Sequence, residues 1–120
     1  MRPVAIIGIG QTKIEENWDQ SLRELGGDAA LAALNDARMD WVDAVYIGNM
    51  MSGSANKQQQ LGALVSDWVG LRYTEAMKIE SACGSGASAF RMGLMAIASG
   101  EMDCVTLEAC TIRELLMCSS

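Results

Sequence analysis

The stretch KIESACGSGASAFRMG, residues 78–93, joins a strand-like run to a helix-like run through a cysteine flanked by glycines. Cys83 stands at the mouth of the helical run, where a helix N-terminus presents free N–H groups and a partial positive charge. Such a terminus stabilises a thiolate and so raises the reactivity of a thiol. Gly84 and Gly86 leave room for an approaching substrate. These local features fit a catalytic nucleophile and a buried structural cysteine equally well.

Four segments have the pattern of β-strands. PVAIIGIGQT at 3–12 is a continuous apolar run, typical of a strand buried on both faces of a parallel sheet. TEAMKIES at 74–81 alternates and contains Lys78, which predicts a half-exposed edge strand. The other two predicted strands are DAVYIGNM at 43–50 and DCVTLE at 103–108.

Two helices are predicted between the first three strands. The first covers residues 21–38 and opens with a capping box formed by Ser21 and Glu24. The second lies in KQQQLGALVSDWVG at 57–70, after a loop, MSGSAN, at 51–56. Strand and helix therefore alternate along the chain.

The third predicted helix, residues 83–100, is closed by Gly100 and has Arg91 as the single charge in its body. A helix that is apolar all round must be covered all round. One sheet covers only one side of the helix. The sequence therefore indicates that this chain is part of a larger packed structure.

The resulting order, strand–helix three times and then a strand, predicts an α/β fold with three layers and a mostly parallel sheet. Functional loops of such sheets lie at the carboxyl ends of the strands, which is where Cys83 falls. GIGQTK at 8–13 has Lys13 where a dinucleotide fingerprint requires its third glycine, and the next helix begins too late to reach a pyrophosphate. Close backbone packing is the preferred interpretation of Gly8 and Gly10.

The net charge of −6 and the lack of a basic cluster argue against nucleic-acid binding. No apolar run approaches the ~18 residues that span a bilayer, and no secretory signal is recognisable, so a cytoplasmic protein without membrane association is expected. The four cysteines form no C-x-x-C pair and histidine is absent, so no metal site is expected. Cys104, Cys110 and Cys118 are expected to be buried free thiols.

In order, VAIIGIGQTK, YIGNMMSG and ESACGSGASAFRMGLMAIASG resemble the N-terminal part of thiolases, the acetyl-CoA C-acetyltransferase family. The similarity is greatest to the archaeal and bacterial branch related to sterol-carrier-protein thiolases. It implies a partial thiolase-fold N-terminal domain (βαβαβαβ) over residues 1–108 and a tail over 109–120 that departs from the family pattern.

The resemblance also implies a chemistry. Cys83 matches the nucleophile that takes an acyl group from acyl-CoA, with its own backbone N–H as an oxyanion donor. The reaction would be a reversible Claisen condensation, either of two acetyl-CoA to acetoacetyl-CoA or, in reverse, thiolysis of a 3-ketoacyl-CoA. Coenzyme A thioesters would be substrates, with no resident cofactor. A homo-oligomer is implied through the strand near residues 75–80, and proline at Met77 is expected to weaken it.

The tail, LEACTIRELLMCSS, lacks the family's glycine-rich continuation. The last strand of the first half, the catalytic histidines and the second catalytic cysteine are therefore expected to be absent, and the chain to be inactive alone. Two alternatives stay open: a non-catalytic interaction fragment, or another condensing enzyme such as a ketoacyl synthase or hydroxymethylglutaryl-CoA synthase relative.

Overall fold

The computed structural model describes residues 1–109 and 113–120. Within these residues, five strands and four helices follow one another along the chain. The strands are β1 (Val4–Gln11), β2 (Ala44–Gly48), β3 (Glu75–Ile79), β4 (Cys104–Ala109) and β5 (Arg113–Ser119). The helices are α1 (Leu22–Ala37), α2 (Ser52–Ala55), α3 (Leu61–Trp68) and α4 (Ser85–Ser99).

The strands form one sheet in the order β1-β5-β4-β2-β3. β2 pairs in parallel with β3 and β4, while β5 runs antiparallel to both β4 and β1. Four strands therefore point the same way. Helices α1 and α3 pack their buried residues on one face of the sheet and α4 packs on the other. The predicted three-layer, mostly parallel α/β fold is confirmed, as is the edge position of β3.

The tail supplies a central strand. The expectation that the last strand of the N-terminal domain is absent is therefore wrong. β5 lies between β1 and β4. Leu116 is buried in the layer of α1 and α3, and Met117 is buried in the layer of α4. A short apolar run of this kind is what a strand covered on both faces requires.

Cys104 and Cys118 lie opposite each other across β4 and β5, with their Cα atoms 4.2 Å apart, and they form a disulfide. The prediction of free thiols is therefore wrong for this pair, although both residues are buried as expected. The pairing follows from β5, because the two cysteines face each other only when the tail is a strand. Cys110 lies outside the described residues.

β1 is an edge strand, and the prediction that it is buried on both faces is wrong. Ile6, Ile7 and Ile9 are exposed, Ile9 by 61%. The buried residues of β1 are Gly8 and Gly10, which face α1. A Cβ atom at Gly10 would lie 2.0 Å from the carbonyl oxygen of Ala29 in the middle of α1. Close backbone packing by the GIG motif is thus confirmed.

The predicted capping box begins α1. The Ser21 backbone N–H donates to Glu24 Oε2 at 2.7 Å, and the Ser21 hydroxyl accepts from the Glu24 N–H at 3.4 Å. Hydrogen bonds from the Ser21 hydroxyl and then from its backbone N–H hold the pKa of Glu24 below its usual value. The carboxylate is the capping form, so acidification through this pKa weakens the cap.

The second predicted helix is corrected at its start. α3 begins at Leu61 instead of residue 57, and the segment predicted to be a loop at 51–56 contains the short helix α2. The Asn49 side chain accepts the N–H groups of Met51 and Ser52 at 3.0 and 2.7 Å, which starts this helical turn. The third helix confirms its predicted end, because Gly100 takes the left-handed conformation with φ of 93°. No helix in the described ranges is long and apolar enough to cross a membrane.

Replacing Gly10 by alanine is expected to lower the free energy of unfolding by about 3 kcal/mol, because the added methyl group meets the rigid backbone of α1. Gly53→Ala is the matched control, since a Cβ there meets Gln59 at 3.6 Å, an ordinary contact. Urea denaturation followed by circular dichroism measures both changes. Equal midpoints for the two variants would contradict the close packing of β1 on α1.

Candidate active site

Cys83 lies in a tight turn between the carboxyl end of β3 and the first residue of α4. The Gly84 N–H donates to the Ser81 carbonyl at 2.9 Å, and the Ser85 N–H donates to the Ala82 carbonyl at 3.1 Å. Ala82 has a φ of 49°. This left-handed conformation costs a residue with a Cβ about 1–2 kcal/mol. The turn is therefore held by its surroundings against a local preference.

The Cys83 side chain is an exposed free thiol. Its predicted place at a strand end and a helix mouth is confirmed, with Gly84 as the N-cap of α4. The alternative of a buried structural cysteine is contradicted by this exposure. The first residues of α4 direct their N–H groups towards the turn, as the start of any helix does.

A close backbone contact between the end of β2 and the first turn of α4 fixes where α4 begins. A Cβ atom at Gly48, the last residue of β2, would lie 2.4 Å from the Ser85 carbonyl oxygen and 2.7 Å from Gly86 Cα. The first turn of α4 therefore rests directly on the carboxyl end of β2. The sequence contained this signal, a glycine ending an apolar strand, but its partner was not predictable from local pattern.

Three serines lie in or beside the turn, and the sequence pattern assigned them no role. The Ser85 hydroxyl accepts the Ser81 N–H at 2.9 Å and donates to the Ala82 carbonyl at 2.7 Å. The hydroxyls of Ser81 and Ser88 lie 2.6 Å apart. Their spacing in SACGSGAS, at positions 81, 85 and 88, was the available signal. The Glu80 carboxylate also accepts the Ala82 N–H at 2.6 Å.

A cleft of about 730 Å³ runs along the free edge of β3. Its lining residues come from β3 and from the segment around α2, and include Gly53, Gln59, Met77 and Lys78. Cys83 is not among them, so the cleft and the thiol are separate features of this end of the sheet.

At the other end of β3, the buried Tyr46 donates its hydroxyl hydrogen bond to Glu75 Oε1 at 2.7 Å. Burial, and then this bond, raise the pKa of Tyr46 above its ordinary value. The phenol therefore stays protonated at neutral pH and serves as a donor. Because Glu75 begins β3 and Cys83 follows its end, this pair lies away from the thiol.

The outer face of α4 is apolar and uncovered. Phe90, Met92 and Met95 are exposed by 37, 45 and 43%, while Ala89 and Ile97 pack on the sheet. The prediction that the apolar surface of this helix exceeds what the sheet covers is confirmed within the described residues.

Residues 4–108 match the family described as thiolase, N-terminal domain, and the chain belongs to that family. It is 44% identical over 107 residues to an acetyl-CoA acetyltransferase of Methanothermobacter thermautotrophicus, covering 88% of this chain and 28% of that protein. It is 39% identical to an acetyl-CoA acetyltransferase of Methanocaldococcus jannaschii, again over 88% of this chain and 27% of that protein. The chain thus spans little more than a quarter of the curated relatives it matches.

Solved structures share the fold. A 3-oxoacyl-[acyl-carrier-protein] synthase III from Aquifex aeolicus superposes with a TM-score of 0.84 at 15% identity, over 98% of this chain and 54% of that one. The Acat5 thiolase from Ascaris suum, solved with coenzyme A, superposes with a TM-score of 0.79 at 20% identity, over 88% of this chain and 29% of that one.

Iodoacetamide is expected to alkylate Cys83 of the native, non-reduced chain well before Cys104 or Cys118. The thiol is exposed at a helix N-terminus, whereas the other two sulfurs are buried and joined. Peptide mapping by mass spectrometry measures the three rates. Cys83→Ser is the control for assignment, and equal labelling of all three positions without reductant would contradict the described site.

Proposed function

We propose that Cys83 is the acyl-accepting nucleophile of a thiolase and that acyl-CoA is its substrate. The observation that carries the proposal is an exposed thiol on a tight turn at the N-terminus of α4, in a chain that belongs to the thiolase family. Acetyl-CoA is the proposed thioester because two relatives bear the name acetyl-CoA acetyltransferase.

The first step is a transfer between two sulfurs. The Cys83 thiolate attacks the carbonyl carbon of the acyl-CoA, and a carbon–sulfur bond forms as the carbonyl oxygen becomes an oxyanion. Collapse of this intermediate breaks the bond to coenzyme A, whose thiolate leaves and takes up the proton that Cys83 gave to solvent. The Cys83 N–H is the proposed donor to the oxyanion.

Carbon–carbon bond formation needs a base that removes a proton from the α-carbon of a second thioester. Histidine, the commonest such base, is absent from the 120 residues. Among the described residues, Cys104 and Cys118 are occupied by their disulfide. We therefore propose that the described part of the chain supports acyl transfer to Cys83. Condensation and thiolysis, the reactions proposed for the whole protein, need a base that the described residues do not supply.

Incubation with acetyl-CoA is expected to place one acetyl group on Cys83 without continued turnover. Intact-mass and peptide mapping follow the thioester, and a thiol reagent follows released coenzyme A. General acid–base groups contribute about 10²–10⁴-fold to rates, so their loss leaves a slow, stoichiometric reaction.

Cys83→Ala is the control and is expected to release no coenzyme A above the spontaneous rate. Hydroxylamine should remove the acetyl group from the unsubstituted chain, because it cleaves thioesters. Acetylation that persists in Cys83→Ala, or none in either chain, would favour the non-catalytic alternative.

We also propose that two copies pair through β3. The Glu75 N–H donates to Asp43, and the Ile79 carbonyl accepts from Asn49, so these residues turn their backbone groups towards β2. Since the direction alternates along a strand, Met77 also faces β2, and Ala76 and Lys78 direct theirs to the open edge. At the opposite edge of the sheet, Asp36 accepts the Ile9 N–H at 2.9 Å and occupies part of β1. β3 is thus the more available edge.

Lys78→Pro is expected to convert the associated chain to monomer. Each copy loses an edge N–H worth about 1 kcal/mol, so a two-fold pair weakens about 30-fold or more. Proline is tolerated on an edge strand when its nitrogen faces outward, so folding should survive. Size-exclusion chromatography with light scattering measures the mass.

Met77, the site suggested by sequence alone, is unsuitable, because its backbone N–H belongs to the ladder with β2. Lys78→Ala is the matched control and keeps the edge N–H while removing the charge. If Lys78→Pro remains as associated as Lys78→Ala, the contact does not run through β3.

A further inference from the structure

The hydroxyl of Ser85 is a buried polar group at the candidate site that the proposed chemistry does not use. Ser85 is 2% exposed, although it lies one residue beyond the exposed Gly84. Its oxygen accepts the Ser81 N–H at 2.9 Å and donates to the Ala82 carbonyl at 2.7 Å. Both bonds cross the turn that carries Cys83.

These two bonds bracket the left-handed residue of the turn. The Ser81 N–H belongs to the Glu80–Ser81 peptide and the Ala82 carbonyl to the Ala82–Cys83 peptide, so a single hydroxyl ties together the backbone before and after Ala82. Residues with a Cβ keep a positive φ only where their surroundings over-determine it. Ser85 supplies part of that determination.

The bond to the Ala82 carbonyl also sets the direction of the next N–H. The Ala82 carbonyl and the Cys83 N–H belong to one planar trans peptide and point in opposite directions. The carbonyl is held by two donors at the start of α4, the Ser85 N–H at 3.1 Å and the Ser85 hydroxyl. The Cys83 N–H therefore points away from the first turn of α4.

We propose that Ser85 is a positioning residue, whose hydroxyl holds the Ala82–Cys83 peptide so that the Cys83 N–H faces the oxygen of the acyl group. This inference rests on the proposed function, because it assigns Ser85 a part in the acyl transfer to Cys83. Ser85 itself touches neither the substrate nor the thiol.

Two reactions of the same thiol separate positioning from general structural support. Acyl transfer from acetyl-CoA develops an oxyanion, whereas displacement of iodide from iodoacetamide develops none. Ser85→Ala in the full chain is expected to slow acetylation of Cys83 by about 10²-fold, the usual effect of losing one oxyanion donor. Its alkylation rate should stay nearly unchanged.

Ser88→Ala is the matched control, because the Ser88 hydroxyl contacts Ser81 and not the Ala82–Cys83 peptide. It should leave both rates as they are. Ser85→Thr keeps a hydroxyl at the same position and should recover most of the acetylation rate, which guards against a folding defect in Ser85→Ala. Circular dichroism checks the fold of each variant.

Three results would overturn the inference. Equal slowing of both reactions in Ser85→Ala would show a structural role only, and unchanged acetylation would show no role. In both cases acetylation of the unsubstituted chain would leave the proposed function standing. Failure of the unsubstituted chain to acetylate at Cys83 would remove the proposed function and this inference together.

Discussion

The close approach of α4 to the carboxyl end of β2 is the constraint on which the rest of the candidate site depends. It requires that Gly48 have no side chain, because a Cβ there would lie 2.4 Å from the Ser85 carbonyl oxygen. Because α4 begins so close to the end of β2, the connection from β3 to α4 must turn within a few residues. Ala82 takes a left-handed conformation in this turn, and the next residue, Cys83, is exposed to solvent. Exposure of the thiol is thus a consequence of backbone packing.

Glycines and the central strand β5 also hold the two helical layers against the sheet. Gly8 and Gly10 let α1 lie on β1, much as Gly48 admits α4 to β2. Between them, β5 places Leu116 under α1 and Met117 under α4, and the disulfide ties β5 to β4. The turn at Cys83 rests on a sheet that is completed only by the tail.

Local sequence signals predicted the helices and most of the strands. The features that they did not predict depend on contacts between residues far apart in the sequence. The capping box at Ser21, the end at Gly100 and the position of Cys83 depend on neighbours in the sequence, and all three were predictable. The disulfide was not, because Cys104 and Cys118 meet only if the tail pairs with β4. The hydrogen bonds of Ser85 across the turn were not predictable, because alanine at position 82 does not indicate a positive φ, as glycine or asparagine would.

A crystal structure of the chain after reaction with acetyl-CoA tests the proposed role of Cys83 most directly. We expect a single acetyl group on Cys83 Sγ, with its carbonyl oxygen about 2.7–3.1 Å from the Cys83 backbone nitrogen. The Ser85 hydroxyl should remain bonded to the Ala82 carbonyl. An acetyl group on another residue, or one on Cys83 whose oxygen lies away from that N–H, would contradict the proposed role.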